Sequence, residues 1–277
     1  MTGFRCPVCG AALQTEPKRL VCPAGHSYDR ARSGYVNLLQ SQKSGDKRHG
    51  DDALMVRARR DFLNGGGYAF LCDAICERLV RLAPKGAVLL DVGCGEGYYT
   101  AAAAQALAQA GKPACVLGVD ISKDALRYAA GRLPQAQLAV ASAFALPLAD
   151  ASCDVVMQVF APAAPAEFHR VLKPGGLLLR AIPLEEHLFS LKAAIYAQPY
   201  RNTVPPAALP GFRAVEETAL RRMLQLNDSA QIRALFQMTP YYYKTSRTDQ
   251  AKLDARATFE TEAAFGLRIY QKEEPHA

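Results

Sequence analysis

The pattern of apolar and polar positions predicts helices first and then an alternation of strands and helices. Residues 37–53 are polar and Gly-punctuated, which predicts a linker or mobile loop, with 41–52 its most polar part. A helix is predicted over Ala53–Leu63, stopped by Gly65-Gly66-Gly67, and a second over Ala69–Leu82, where Leu71, Ile75, Leu79 and Leu82 share one face. From Val88 the chain alternates. Val88–Val92, Cys115–Asp120, Gln137–Ala141, Asp154–Val159 and Leu177–Ile182 read as buried strands. Helices are predicted between them over Tyr98–Gln109, Lys123–Arg132 (with Ser122 as N-cap) and Ala166–Leu172. Near-continuous apolar strands alternating with helices predict an α/β fold with a doubly wound, mostly parallel sheet. The last ninety residues are less regular: antiparallel edge strands are expected over 212–226 and 267–272, and a helix over Ala230–Gln237.

Composition adds bounds. The chain has 277 residues, half of them hydrophobic, enough for a sizeable core and about two domains. No run of about 18 apolar residues occurs, so no membrane span is expected. The opening Met1-Thr2-Gly3-Phe4 leads straight into a cysteine cluster, which argues against a cleaved leader. The net charge is +7, and residues 1–60 hold eleven Lys or Arg against five acids, so +6 of it lies there. Such a concentration suggests a surface for a polyanion, with Arg30, Arg32, Lys47 and Arg48 as candidate phosphate contacts.

The chemistry begins at Cys6-Pro7-Val8-Cys9 and Cys22-Pro23-Ala24-Gly25-His26, a C-x2-C-x12-C-x3-H spacing. Three thiolates and one imidazole, Cys6, Cys9, Cys22 and His26, fill a tetrahedral shell and leave no position for water, which points to a structural zinc. The other five cysteines, Cys72, Cys76, Cys94, Cys115 and Cys153, lie in apolar contexts and read as reduced core thiols of a cytoplasmic protein.

A second signature closes the first predicted strand: Asp91-Val92-Gly93-Cys94-Gly95-Glu96-Gly97. Glycines here permit a tight turn and close backbone approach to a ligand. A dinucleotide loop would read G-x-G-x-x-G. This one reads G-x-G-x-G, and Asp91 suits a ligand bearing an ammonium and a sulfonium better than a pyrophosphate. Asp120, at the end of the second strand, is placed to accept the hydroxyls of a ribose.

With Ser142-Ala143-Phe144, Leu146-Pro147-Leu148 and Arg170–Gly176, this stretch resembles the class I methyltransferases. The resemblance implies a Rossmann-like domain and S-adenosylmethionine as ligand, with Ala143 and Phe144 near its adenine. The segment from Cys22 to Leu39 is similar to the bacterial 23S rRNA (guanine-N1)-methyltransferases. So are Ala58–Leu63, Gly67-Tyr68, Gly93–Thr100, Glu186-His187-Leu188 and Met238-Thr239-Pro240. That likeness covers nearly the whole chain. It implies methyl transfer from S-adenosylmethionine to N1 of a guanine in a hairpin loop of 23S rRNA. It also implies donor contacts from Tyr68, Glu96, Gly97 and His187, beside Asp91, Gly93, Gly95 and Asp120, and a homodimer. The partner would be 23S rRNA or a precursor of the large subunit. The expected organisation is a zinc module at 1–36 for RNA recognition, a linker and helix at 37–67, and the methyltransferase domain at 68–277. Tyr241-Tyr242-Tyr243 reads either as a stacking cluster or as a strand of alternating buried rings. The residues alone leave open a methyltransferase for tRNA or for a small molecule, and a non-enzymatic zinc-ribbon RNA-binding protein.

Overall fold

The computed structural model describes residues 3–40 and 50–273. Residues from Gly3 onward begin with a ribbon of three short antiparallel strands, β1 (Gln14–Thr15), β2 (Arg19–Val21) and β3 (Ser27–Asp29). β4 (Val36–Asn37), α1 (Ala53–Asn64) and α2 (Ala69–Leu82) follow. The alternating segment then runs β5 (Val88–Val92), α3 (Tyr98–Gln109), β6 (Cys115–Asp120), α4 (Lys123–Arg132), β7 (Gln137–Val140), β8 (Cys153–Val159), α5 (Pro165–Val171) and β9 (Leu172–Pro183). The chain ends with α6 (Phe189–Ile195), β10 (Phe212–Leu226), α7 (Ser229–Gln237), a 3-10 turn at Tyr242–Lys244, α8 (Arg247–Asp254) and β11 (Phe259–Lys272).

Eight strands make one sheet in the order β10-β11-β9-β8-β5-β6-β7-β4. β4 to β9 pair in parallel, and the β11–β10 pair is added antiparallel at one edge. β5 sits in the middle, with β6 on one side and β8 on the other. The strand order therefore reverses between β5 and β8, and the crevice outside their carboxyl ends is where such sheets bind ligands.

Alternation along the strands divides the core. Leu89, Val155, Met157 and Leu179 face a cluster built with Leu71, Ile75 and Leu79 of α2 and Leu107 of α3. Leu90, Leu117, Val156 and Leu178 face the other side, where Phe4, Leu13, Leu20, Val36 and Leu38 pack beside Phe168 of α5. The ribbon thus shares the core of the large domain. Each such fully buried side chain contributes roughly 1.5–3 kcal/mol.

Four expectations change. Residues expected to open a linker at 37 instead continue β4, because Val36 and Leu38 are buried and the Leu38 N–H bonds the Val140 carbonyl. The C-terminal strand spans Phe259–Lys272 rather than 267–272, and β10 pairs with it from Phe212 to Leu226. Tyr241–Tyr243 is no strand: the segment turns, with Tyr243 exposed and Tyr241 donating its hydroxyl to Asn202 Oδ1. Among the remaining thiols Cys72, Cys94 and Cys153 are buried, but Cys115, the first residue of β6, is exposed. Lys47 and Arg48 lie outside the described residues; Arg30 and Arg32 are exposed. Among the described residues no helix is long and apolar enough to cross a membrane.

Candidate active site and metal centre

Two tight turns bring the ribbon's four ligands together. The Gly10 N–H bonds the Cys6 carbonyl at 2.8 Å, and the Gly25 N–H bonds the Cys22 carbonyl at 2.9 Å. Both glycines have left-handed φ, 72° and 84°. Cys9 and Cys22 Sγ are 3.7 Å apart, and His26 Nδ1 lies 3.3 Å from Cys22 Sγ and 3.5 Å from Cys6 Sγ. All four ligand atoms lie within 4.8 Å of one another. Zinc–ligand bonds of about 2.3 Å to sulfur and about 2.0–2.1 Å to nitrogen give tetrahedral edges of roughly 3.5–3.8 Å. The observed spacings are therefore edges of a coordination shell rather than hydrogen bonds. Tyr28 donates its hydroxyl to Cys6 Sγ at 3.0 Å. Burial pushes the Cys6 thiol up, but the bonds from Tyr28 and from the backbone at Cys9 and Val8 outweigh it and bring Cys6 to about 6. Three sulfurs and one imidazole nitrogen are the donor set of a structural zinc.

At the carboxyl end of β5 the Gly-rich loop is pinned to its neighbours. The Gly93 and Cys94 N–H groups bond the Val119 carbonyl, and the Gly95 N–H bonds Asp120 Oδ2 at 2.8 Å. Asp120 Oδ1 accepts from the Ser122 N–H, also at 2.8 Å. Two amides thus hold the Asp120 carboxylate, and each of its oxygens keeps one further acceptor position. Gly93, Gly95 and Gly97 all have left-handed φ. A Cβ on Gly93 would lie 2.3 Å from Ala161 Cβ, whereas one on Gly95 would meet nothing within 4 Å. The first glycine closes the turn against the protein, and the second faces open space.

Asp91, the penultimate residue of β5, is 2 % exposed. Oδ2 accepts from Thr100 Oγ1 at 2.5 Å, while Oδ1 has no partner. Burial, outweighing the Thr100 bond, pushes its carboxyl up to about 7, and the nearby Asp120 charge adds to that. A buried carboxylate with an orphaned oxygen is incomplete without a cationic ligand. Glu96 Oε2 pairs with Arg132 at 2.8 Å, and its Oε1 is a second buried orphan. The Tyr99 hydroxyl is a third. These groups, with the open face of Gly95, fit a ligand that carries an ammonium and ribose hydroxyls.

Two of the residues expected at the donor come from distant segments. Tyr68 is buried, and its hydroxyl lies 3.5 Å from His187 Nε2. His187 Nδ1 accepts the Ala264 N–H at 3.2 Å, so the ring proton sits on Nε2 and is directed at the Tyr68 oxygen. Burial holds the imidazole down near 3, aided by the Lys192 charge, and burial holds the Tyr68 phenol far above its usual range. Both groups are neutral donors near neutral pH. The strap Gly50–Asp52 covers the β6 side: Ser122 Oγ donates to the Asp51 carbonyl at 2.7 Å, Arg59 pairs with Asp51, and Asp52 caps α1 through the Met55 N–H. Phe144 stands 65 % exposed beyond β7, and Ala143 beside it is half-buried. The sequence reading missed the strap, Arg59 and Arg132, whose roles depend on tertiary placement, and it missed Tyr28, two residues after His26.

A family profile described as "Methyltransferase domain" matches residues 89–176, and a zinc-ribbon profile described as "RlmA, N-terminal" matches residues 4–47. The chain is 36% identical to the 23S rRNA (guanine(748)-N(1))-methyltransferase of Streptomyces fradiae, over 82% of this chain and 81% of that protein. Proteins assigned as 23S rRNA (guanine-N1)-methyltransferases in Micromonospora griseorubida and Bacillus subtilis are 37% and 33% identical. They align over 91% and 86% of this chain and 90% and 86% of their own lengths. The fold is that of the class I S-adenosylmethionine-dependent methyltransferases, fused to a zinc ribbon. Similarity running through both the ribbon and the donor loop makes the chain a member of the 23S rRNA (guanine-N1)-methyltransferase family.

Proposed function

We propose that this chain transfers the methyl group of S-adenosylmethionine to N1 of a guanine in a hairpin loop of 23S rRNA. The observation that carries it is the joining of an incomplete cation-accepting pocket at Asp91 to a zinc ribbon within one shared core. S-adenosylmethionine supplies an electrophilic methyl: the N1–carbon bond forms as the sulfur–carbon bond breaks, its electron pair goes to sulfur, and the N1 proton is released. Asp91 receives the donor's ammonium, Asp120 its ribose, Ala143 and Phe144 its adenine, and Gly93, Gly95, Glu96 and Gly97 line it through the loop. Tyr68 and His187 close over it. His187 cannot take the N1 proton, since Nδ1 is occupied and Nε2 is protonated. In-line placement of N1 against the methyl then supplies more of the rate than any single base. Arg30 and Arg32, with Lys47 and Arg48, contact RNA phosphates. The chain works in the cytoplasm on 23S rRNA or a large-subunit precursor, as a homodimer. Its organisation is a recognition module at 1–36, a connection at 37–67 and a catalytic domain at 68–277.

A methyl on N1 blocks the Watson–Crick edge of guanine, so primer extension on unmodified 23S rRNA is the direct test. A protein- and donor-dependent stop within a hairpin loop is expected; read-through along the whole RNA would contradict the proposal.

The state of Asp91 gives a pH dependence. Its folded pKa is raised to about 7, so the free protein loses stability as pH rises from near 4 through 7. A bound ammonium favours the carboxylate, so binding below pH 7 expels a proton. Donor affinity is expected to fall by about tenfold per pH unit below 7. Calorimetry in two buffers of different ionisation heat reads that proton, and Asp91→Asn abolishes the dependence. A flat profile for the wild-type protein would sink the assignment.

Tyr68→Phe removes the one hydroxyl that His187 orients. The donor dissociation constant is expected to rise roughly three- to tenfold, and the buried His187 Nε2–H, left without its acceptor, to cost about 1–3 kcal/mol of stability. Unchanged calorimetric binding would remove Tyr68 from the donor site.

A further inference from the structure

Among the described residues three non-glycine positions have left-handed backbone: Ala151, Phe160 and Leu188. Phe160, at φ 56°, is the one that carries an exposed ring, with 42 % of its surface open. Bulky side chains avoid that conformation, and where it persists the surroundings over-determine it. Those surroundings are visible. The Phe160 N–H bonds the Ala181 carbonyl at 3.1 Å. Gln158, 1 % exposed, donates its amide to the Ala161 carbonyl and accepts from Arg180 Nε at 2.7 Å. Arg180 is itself buried. Two buried polar side chains are thus spent on fixing the residue after the ring.

The place is as informative as the strain. Phe160 directly follows β8, which pairs with β5 in the register Asp91↔Met157. Ala161 is the residue that Gly93 must approach without a Cβ. The ring therefore stands at the reversal of strand order, beside the donor loop. Behind it lie Phe265 at 5.1 Å, Tyr68 at 6.3 Å and Tyr99 at 6.4 Å between ring centroids, the last two edge-on. Beyond it, Ala161-Pro162-Ala163-Ala164 offers no polar side chain. A single exposed aromatic is ordinary on a protein surface. One held in a strained backbone by buried groups, backed by rings and placed at the reacting edge of the sheet is not.

We propose that Phe160 is the platform on which the target guanine stacks, with the Gln158–Arg180 pair holding it in place. The proposal rests on the transfer reaction put forward above. A guanine drawn out of an RNA loop loses stacking on its neighbours, and an aromatic face replaces it. Stacking is indifferent to base identity, so Phe160 positions the base and does not choose it.

The test uses the full-length zinc-loaded protein and unmodified 23S rRNA, with Phe160→Ala, Phe160→Leu and Phe160→Tyr. Each is assayed for steady-state transfer and, by calorimetry, for donor binding. Phe160→Ala and Phe160→Leu are expected to lower kcat/KM for RNA by about 10- to 100-fold, while Phe160→Tyr stays within roughly threefold of wild type. Donor affinity should stay within about twofold in all three, since the ring is assigned to the base. Leucine restoring full activity would overturn the proposal, because bulk alone would then suffice. So would donor affinity falling in step with activity, which would assign the ring to the donor. A wild-type protein that labels no RNA refutes the transfer reaction itself and shows before any variant is compared.

Discussion

Cys22→Ser is expected to abolish zinc binding, taking the metal content from about one ion per chain to near zero. A structural zinc of this type contributes roughly 10–16 kcal/mol of binding free energy, comparable with the whole stability of a domain. The ribbon has little else to hold it: its three strands span two or three residues each. Phe4, Leu13 and Leu20 reach the common core only while the knuckles keep their shape. Their withdrawal uncovers the face of β5 and β6 that carries Leu90 and Leu117. The melting temperature should therefore fall by on the order of 10 °C or more, rather than the ribbon alone fraying. Metal analysis with thermal denaturation checks both. A metal-free protein of full stability would overturn the zinc assignment.

Two glycines two residues apart should respond differently to alanine. At Gly93, φ is 78° and the added methyl meets Ala161 Cβ at 2.3 Å. Left-handed strain of about 1–2 kcal/mol and overpacking of about 1–3 kcal/mol both apply, so Gly93→Ala should cost stability and donor binding together. At Gly95, φ is 55° and the methyl enters open space. Gly95→Ala should lose only the smaller strain from the fold but obstruct the donor, raising its dissociation constant by at least about tenfold, or roughly 1.4 kcal/mol. Calorimetry paired with thermal melts separates the two effects. Equal donor binding by Gly95→Ala and wild type would show that the donor does not approach that face.

Much of the fold was legible in the chain. Val88–Val92 and Asp154–Val159 are apolar on both faces, and a strand covered on both sides carries its own signal. Phe259–Lys272 was half missed because its first residues alternate Glu260 and Glu262 with Thr261, a polar run whose strand character comes only from its pairing with β10. The zinc ligands were readable because four donors at fixed spacing need no long-range information. The donor loop was readable for the same reason, together with Asp120. Tyr68 and His187, 119 residues apart, came from resemblance, and periodicity could not have joined them. Phe160 gave no sign, since its meaning lies in a backbone angle and in what Gln158 does with its amide. Glu96 was read from resemblance alone, and its pairing with Arg132, which comes from another helix, could not be read from the sequence.

The most direct test of the account is to incubate the protein with methyl-labelled S-adenosylmethionine and total RNA lacking the modification, digest the product and identify the labelled nucleoside by mass spectrometry. The account predicts 1-methylguanosine arising from a hairpin loop of 23S rRNA. Label in tRNA, or donor binding with no label in any RNA, would contradict it.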